Sequence, residues 1–194
     1  MTAHDWKEPS GRRSFLTVSA RLHWSYANLA MAHAALKNGA QKYGPFPYYQ
    51  IRAKLYSGLT SGSMAVGSLF DDERLKILSP VRCAYCGVNE PGTADHILPR
   101  VKGGDHRGEN LVPCCRHCNS AKGGKDVMAW HREGQRFPSL SVTRRYLKLA
   151  MSTAIESGLF ACPAVSPEVA KLPFDLWAVP MIYPTPPALA WVAG

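Results

Sequence analysis

Two cysteine pairs constrain the fold of this chain more than any other feature of its sequence. Cys83 and Cys86 form one Cys-x-x-Cys pair, and Cys115 and Cys118 form a second pair further along the chain. Two such pairs supply four thiolates, the tetrahedral sulfur shell that zinc takes in structural sites. Gly87 follows the first pair, where a zinc knuckle needs a left-handed turn. The spacing therefore predicts a zinc ion that joins two segments distant in sequence.

A disulfide network is the alternative use of these cysteines. The first residues of the chain lack the apolar run of a secretory signal, and no apolar run approaches a membrane span. We therefore expect a cytoplasmic protein with no membrane association, and thiols in that compartment stay reduced. Cys114 is expected to be a small buried residue behind the zinc site, and Cys162 a lone thiol.

The charge balance indicates the kind of partner. The chain has 194 residues, with 23 Lys+Arg against 14 Asp+Glu and a net charge of +9. A basic balance of this size is typical of proteins that bind polyanions, most often nucleic acid. The basic residues are spread along the chain, so any phosphate-binding surface has to be assembled by the fold.

Helical patterns precede the cysteine-rich segment. Apolar residues recur at helical spacing over residues 20–37, and a second helix is predicted over 48–56. Gly58, Gly62 and Gly67 favour a loop after it. Asp71 and Asp72 suit the first turn of a short helix that continues to residue 78.

Two further helices are predicted after the cysteines. A short one covers residues 126–131, and a longer one covers 139–156 and ends at Gly158. The expected apolar face of the longer helix consists of Leu140, Leu147, Ala150, Met151 and Ile155.

The last part of the chain is rich in proline. Seven of the 15 prolines lie in residues 161–194, a density that excludes regular helix and central strand. The apolar side chains there favour a tail that wraps over the body, and a mobile tail is the alternative. These side chains are Phe174, Leu176, Trp177, Ile182 and Tyr183.

The segment between the cysteine pairs carries the chemistry. It begins with Asp95-His96-Ile-Leu-Pro, continues through a Gly-Gly loop to Asn110-Leu-Val, and ends with Cys-Arg-His-Cys-Asn119-Ser-Ala-Lys122. Hydrolysis of a phosphodiester needs an activated water and a cation that stabilises charge on the phosphate. An imidazole such as that of His96 titrates near neutrality and is suited to take the proton of that water.

In order, spacing and residue type, residues 81–126 resemble the HNH nuclease motif in its zinc-binding variant. The resemblance implies a bent ββα-metal unit in which His96 is the general base. It implies that Asp95 and Asn119 hold Mg²⁺ or Mn²⁺, and that Asn110 orients the imidazole. Asp95 and Asn119 stand where other members carry histidine, and both are common variants of the motif.

Plainer roles stay open for several of these residues. Asn110 would also serve to cap a turn, and Asn119 to cap a helix. His106 is expected at the surface, with a DNA contact as the alternative. Four cations are candidates for contacts to DNA phosphates, or else are solvated charges: Arg100, Lys102, Lys122 and Lys125.

The predicted fold class is α+β. A central ββα-metal unit stapled by a four-cysteine zinc site is flanked by mainly helical N- and C-terminal segments and a proline-rich tail. The chain is predicted to have four divisions. Residues 1–80 form a helical region with a DNA-recognition role, and residues 81–126 form the nuclease core. Residues 127–160 form C-terminal helices packed on the core, and residues 161–194 form the wrapping tail.

The predicted function is that of a metal-dependent endonuclease acting on double-stranded DNA, with structural zinc and catalytic Mg²⁺ or Mn²⁺. Restriction, anti-phage defence or a mobile element is the expected setting. The alternatives are a non-catalytic zinc-stapled nucleic-acid-binding module and a protein–protein adaptor. Asp95 favours the enzyme, since a carboxylate repels phosphate unless a cation lies between them.

Target recognition is expected from basic residues of the flanking helices. The candidates are Arg12, Arg13, Arg21, Arg52, Lys54, Arg144, Arg145 and Lys148.

Overall fold

The computed structural model describes residues 15–78, 81–89 and 91–190. Three helices come first: α1 (Val18–Lys37), α2 (Gln50–Ser61) and α3 (Leu69–Leu78). A hairpin of β1 (Gly92–His96) and β2 (Leu111–Cys115) leads into α4 (Arg116–Lys122), followed by α5 (Val127–Glu133), α6 (Leu140–Glu156) and α7 (Pro186–Ala190). Helices around a small two-stranded sheet confirm the predicted α+β class.

The main core lies between α1, α5, α6 and the C-terminal tail. Hydroxyl caps begin both long helices: Thr17 Oγ1 accepts from the N–H of Ala20, and Ser139 Oγ accepts from the N–H of Val142. The predicted apolar face of α6 is confirmed except at Ile155, which is 59% exposed. Ile155 lies one residue beyond Ala154, the last buried residue of the helix.

The second helix differs from the prediction. An irregular turn precedes it, and α2 continues through Gly58, where a loop was expected. Gly58 is buried, and a Cβ at this position would lie 2.6 Å from Sδ of Met64. The glycine therefore reflects close packing and not a break in the chain. Gly62 ends the helix in a left-handed conformation, with φ of 76°.

Ion pairs fix α3 against α6. The buried carboxylate of Asp72 accepts from Arg144 Nε at 2.5 Å and from Lys148 Nζ at 2.6 Å, and Arg145 pairs with Glu73. These three basic residues of α6 were expected to recognise a target. That expectation is wrong, because their charges are neutralised by ion pairs within the fold. The predicted extent of α3 is confirmed.

Two more of the expected recognition arginines are packed against aromatic rings. The guanidinium of Arg21 lies 4.3 Å from the ring centroid of Trp177, and that of Arg52 lies 4.6 Å from Trp24. Arg21 is also buried. Arg21 therefore joins α1 to the tail, and Arg52 joins α2 to α1. Arg12 and Arg13 lie outside the described residues, as do parts of the divisions at 1–80 and 161–194.

The proline-rich tail covers the helices, as predicted. Phe174, Leu176 and Tyr183 are buried, whereas Trp177 and Ile182 are only partly covered. Two donors on α1 bind the tail through one carbonyl group: Trp24 Nε1 and Asn28 Nδ2 both donate to the carbonyl of Met181, at 2.9 and 3.1 Å. Because proline has no N–H, a segment of this composition is held through its carbonyls and side chains.

The exclusion of regular helix from the tail is wrong at one place. The short helix α7 begins with Pro186 and Pro187. Proline is tolerated in the first turn of a helix, where its missing N–H has no intrahelical acceptor.

Across these three described stretches, no helix has both the length and the apolar character that a bilayer crossing requires.

Asp126 joins α5, α6 and the tail. Its Oδ1 caps α5 by accepting from the N–H groups of Met128 and Ala129, at 2.8 and 3.0 Å. Its Oδ2 accepts from Tyr146 Oη at 2.9 Å and from the N–H of Asp175 at 3.1 Å. One buried carboxylate thus satisfies four donors from three elements.

We expect Asp126→Ala to lower the free energy of unfolding by about 2 to 4 kcal/mol, because the α5 cap is removed and the buried hydroxyl of Tyr146 keeps only the carbonyl of Asp175, at 3.5 Å, as an acceptor. Urea denaturation measures the change. The matched control is Asp71→Ala at an exposed position of α3, expected to cost about 0.5 kcal/mol or less. Equal losses in the two variants would contradict the junction role of Asp126.

Candidate active site and metal centre

The four predicted zinc ligands converge. The Sγ atoms of Cys83, Cys86, Cys115 and Cys118 all lie within 4.8 Å of one another, and those of Cys86 and Cys115 are 3.7 Å apart. A tetrahedral zinc with Zn–S bonds of about 2.3 Å separates its sulfurs by about 3.8 Å. The donor set and its spacing fit a zinc ion.

The first knuckle has the backbone that such a site requires. Gly87 is left-handed, with φ of 75°, and its N–H donates to the carbonyl of Cys83 at 2.8 Å. Burial acts to raise the pKa of Cys83, but backbone N–H groups around its sulfur outweigh burial and lower that pKa to about 6. The Cys83 thiolate, which is the form that binds zinc, is therefore favoured at neutral pH, whereas burial raises the pKa of Cys86 and of Cys118.

The remaining two cysteines do not join the cluster. Cys114 is fully buried and packs with Trp130 behind the ligands. Burial raises the pKa of the Cys114 thiol, which keeps it neutral. Cys162 lies in the tail, with its sulfur outside the four-cysteine group.

The hairpin and α4 place the chemical residues of the motif. In the antiparallel register Asp95 lies opposite Val112 and His96 lies opposite Leu111. Alternation along β1 directs Asp95 and His96 to different faces, so Asp95 is buried and His96 is partly exposed. On α4, Asn119 Nδ2 donates to the carbonyl of Ala94 at 3.2 Å, which ties the helix to the strand beside Asp95.

Asp95 is held by two neighbours through one of its oxygens. Oδ2 accepts from Tyr85 Oη at 2.7 Å and pairs with Lys122 Nζ at 2.8 Å. Oδ1 makes no hydrogen bond with any residue that the structure describes. The carboxylate is 6% exposed, so its charge depends on Lys122 for neutralisation.

Lys122 corrects one prediction. It was a candidate for a DNA phosphate contact, but it is 1% exposed, and its Nζ also donates to the carbonyl of His96 at 2.9 Å. A side chain buried in this way cannot meet a phosphate at the surface. Arg100, Lys102 and Lys125 are exposed, and Lys125 pairs with Glu133 at 2.5 Å.

The contacts of Asn110 correct a second prediction, that its side chain orients the imidazole of His96. Its Oδ1 accepts from the N–H of Leu98 at 2.8 Å, and its Nδ2 donates to the carbonyls of Leu98 and Asp105 at 2.9 and 2.8 Å. The side-chain oxygen that was expected to hold the imidazole of His96 therefore accepts from the backbone, and both amide hydrogens are engaged by backbone carbonyls. The plainer role of fixing a turn is the one that the geometry supports.

His106 occupies the place that the sequence interpretation assigned to Asn110. Its Nδ1 lies 2.8 Å from Nε2 of His96. Partial burial lowers the pKa of His96, with His106 and the cations Arg100 and Lys122 acting in the same direction and Asp95 opposing them. The residue spacing carried no signal for this contact, because the Gly-Gly loop that folds His106 back is defined only in three dimensions.

Asn119 has the arrangement of a candidate ligand. The N-cap of α4 is Cys115, so the alternative that Asn119 caps the helix is wrong. Its Nδ2 donates to Ala94 and Thr93, and among the described residues its side-chain oxygen has no hydrogen bond. The free oxygens of Asp95 and Asn119 are the hard donors that Mg²⁺ and Mn²⁺ prefer.

A β-hairpin followed by a short helix, with an Asp-His pair on the first strand and an amide on the helix, defines a ββα-metal unit. Residues 83–125 match the family model described as HNH endonuclease. The chain therefore carries an HNH endonuclease domain, which confirms the resemblance for this segment.

A curated relative shares this part of the chain. It is the CRISPR-associated endonuclease Cas9 of Corynebacterium diphtheriae, which is 40% identical over 53 residues. The aligned segment is 25% of this chain and only 5% of the relative's length. The similarity thus supports a nuclease domain and leaves about three quarters of the chain unmatched. No solved structure matches the chain.

We expect Cys86→Ser and Cys118→Ser to lose zinc and to melt at a lower temperature, because the metal joins two knuckles that few apolar contacts hold. Elemental analysis of the purified protein measures the zinc, and thermal denaturation measures the stability. Cys162→Ser is the control and should keep both. A wild-type protein that is fully stable without bound zinc would rule out this four-cysteine assignment.

Proposed function

We propose that this protein is a metal-dependent endonuclease that hydrolyses phosphodiester bonds in double-stranded DNA. The observation that carries the proposal is the assembly of Asp95, His96 and Asn119 on one strand and one helix inside an HNH domain. A base and two oxygen ligands for a cation are the groups that hydrolysis of a phosphodiester requires.

His96 is the proposed general base. Its lowered pKa favours the neutral imidazole near pH 7, which is the form that accepts a proton. His106 engages Nε2, and Nδ1 has no hydrogen bond within the part of the chain that the structure describes. We therefore assign proton abstraction from the attacking water to Nδ1 of His96.

Asp95 and Asn119 are the proposed ligands of Mg²⁺ or Mn²⁺. When bound, such a cation supplies stabilisation of the negative charge that develops on the phosphate and the leaving oxygen. Tyr85 and Lys122 hold Oδ2 of Asp95, which fixes the carboxylate and leaves Oδ1 for the cation. Asn119 is oriented by its donation to the carbonyl of Ala94.

The alternative is a zinc-stapled nucleic-acid-binding module without activity. Such a module would use Asp95 only as the counter-ion that Lys122 holds through Oδ2, and it would have no use for the free oxygens of Asp95 and Asn119. The relative is named as a CRISPR-associated endonuclease, which also favours an enzyme. For the setting we propose restriction, anti-phage defence or a mobile element, acting in the cytoplasm.

The helical region before the HNH domain is the proposed recognition surface. No Asp or Glu occurs between Glu8 and Asp71, so the positive charges of α1 and α2 have no acidic neighbours in their own sequence. Lys54 is exposed on α2, and Phe46 just before that helix is 75% exposed. Cations bind phosphates, and exposed aromatic rings stack on bases.

We expect His96→Ala to reduce plasmid nicking by about a hundred- to ten-thousand-fold, because the base is needed only in the transition state. Asp95→Asn should also inactivate, with partial recovery in excess Mn²⁺, because it weakens the cation site. It also leaves Lys122 without its buried counter-ion, so thermal stability is measured beside nicking. His33→Ala, at an exposed position of α1, is the control.

The measurement is nicking of supercoiled plasmid across a Mg²⁺ and Mn²⁺ titration, with EDTA as the blank. Metal rescue of His96→Ala but not of Asp95→Asn would reverse the two roles. Wild-type nicking by His96→Ala would remove the HNH mechanism and leave the binding module as the better description.

Neutralising Arg100, Lys102 or Lys54 should reduce the salt dependence of DNA binding by about one unit of slope for each phosphate that the variant no longer binds. Fluorescence anisotropy at several salt concentrations measures it. Lys171→Gln, exposed in the tail, is the control. If all three variants keep the wild-type slope, the DNA path lies on another surface.

A further inference from the structure

We propose that His106 is a positioning residue that fixes the tautomer of His96. The inference rests on the proposed function, because it assigns a partner to the general base. It is carried by one contact that the HNH residue pattern does not predict, the 2.8 Å approach of His106 Nδ1 to His96 Nε2.

The loop that carries His106 is held tightly. A Cβ at Gly104 would overlap the carbonyl oxygen of Leu98, so the backbone passes where only glycine fits. Asn110 Nδ2 holds the carbonyl of Asp105 at 2.8 Å. The side chain of Asp105 accepts from both the N–H and the Nε of Arg107, at 3.2 and 2.5 Å. The residues on either side of His106 are thus fixed, although His106 itself is exposed.

Only one proton can lie between the two facing nitrogens. With that proton on Nε2 of His96, His106 accepts it through the lone pair of Nδ1, and the lone pair of His96 is placed on Nδ1. The attacking water then gives its proton to Nδ1 of His96. The resulting imidazolium keeps its Nε2–H bond to His106, which becomes charge-assisted and stronger.

In this arrangement Asn110 acts on His96 only indirectly. Asn110 shapes the loop through the backbone, and the loop presents His106 to His96. The orienting group of the base is therefore a ring nitrogen across the Gly-Gly loop and not the amide of the motif asparagine.

Three substitutions separate the proposed role from a general structural one. His106→Leu removes the acceptor and should lower kcat by about tenfold to a hundredfold, with KM and DNA affinity unchanged. His106→Asn should restore most of the activity, since its amide oxygen lies close to the position of Nδ1. His106→Gln should restore less, because its oxygen lies one bond further out.

A double-mutant cycle tests whether His106 acts through His96. In the His96→Ala background, His106→Leu should cause no further loss of nicking, because the base that it positions is absent. A further loss of about tenfold there, or a parallel rise in KM, would overturn the proposal in favour of a direct DNA contact.

Nitrogen-15 NMR of the labelled, zinc-loaded full chain gives a readout that does not depend on cleavage. His96 should be protonated on Nε2 in the neutral wild-type protein, and this preference should be lost in His106→Leu but kept in His106→Asn. A wild-type protein that does not cleave DNA would refute the proposed function alone. Protonation of His96 on Nδ1, or an unchanged tautomer in His106→Leu, would refute the role of His106.

Discussion

The buried ion pair between Asp95 and Lys122 is the contact on which the arrangement of the site depends. Lys122 reaches from α4 to Asp95 and to the carbonyl of His96, so one ammonium group holds the helix against both chemical residues of β1. Tyr85 of the first zinc knuckle donates to the same carboxylate oxygen. Removal of one partner from a buried ion pair lowers the free energy of unfolding by about 3 to 5 kcal/mol. The structure of the site therefore depends on the presence of both charges.

The HNH domain and the C-terminal tail both have little regular secondary structure, and each is stabilised in a different way. Among its described residues, the HNH domain contributes three buried side chains to the main core, Ile97, Leu98 and Val112, with Ala84 and Tyr85 packed against them. Its knuckles meet at four sulfurs that fit a zinc ion. The tail, in contrast, enters the core directly. The carbonyl of Met181 accepts from two side chains of α1, in a segment whose prolines lack the N–H groups for regular backbone pairing.

The sequence interpretation succeeded where a residue's chemistry is independent of its neighbours. Cysteine spacing predicted the sulfur cluster, and the acidic pair and the apolar periodicity predicted the helices α3 and α6. It was wrong where two uses of the same side chain compete. Lys122 was taken for a surface cation and is a buried counter-ion, and Asn110 was assigned to an imidazole but binds the backbone.

By itself the sequence determined the four-cysteine cluster, the α+β class and the position of the Asp-His pair in the HNH segment, because these follow from residue types at short, regular spacing. Only the tertiary structure decided which cations face solvent, which group meets Nε2 of His96, and whether the basic residues of α6 are exposed. Those outcomes depend on contacts between segments far apart in the chain, such as Arg144 with Asp72 and Lys122 with Asp95. A local pattern cannot report them, since burial and ion pairing are properties of the assembled surface and not of any one segment.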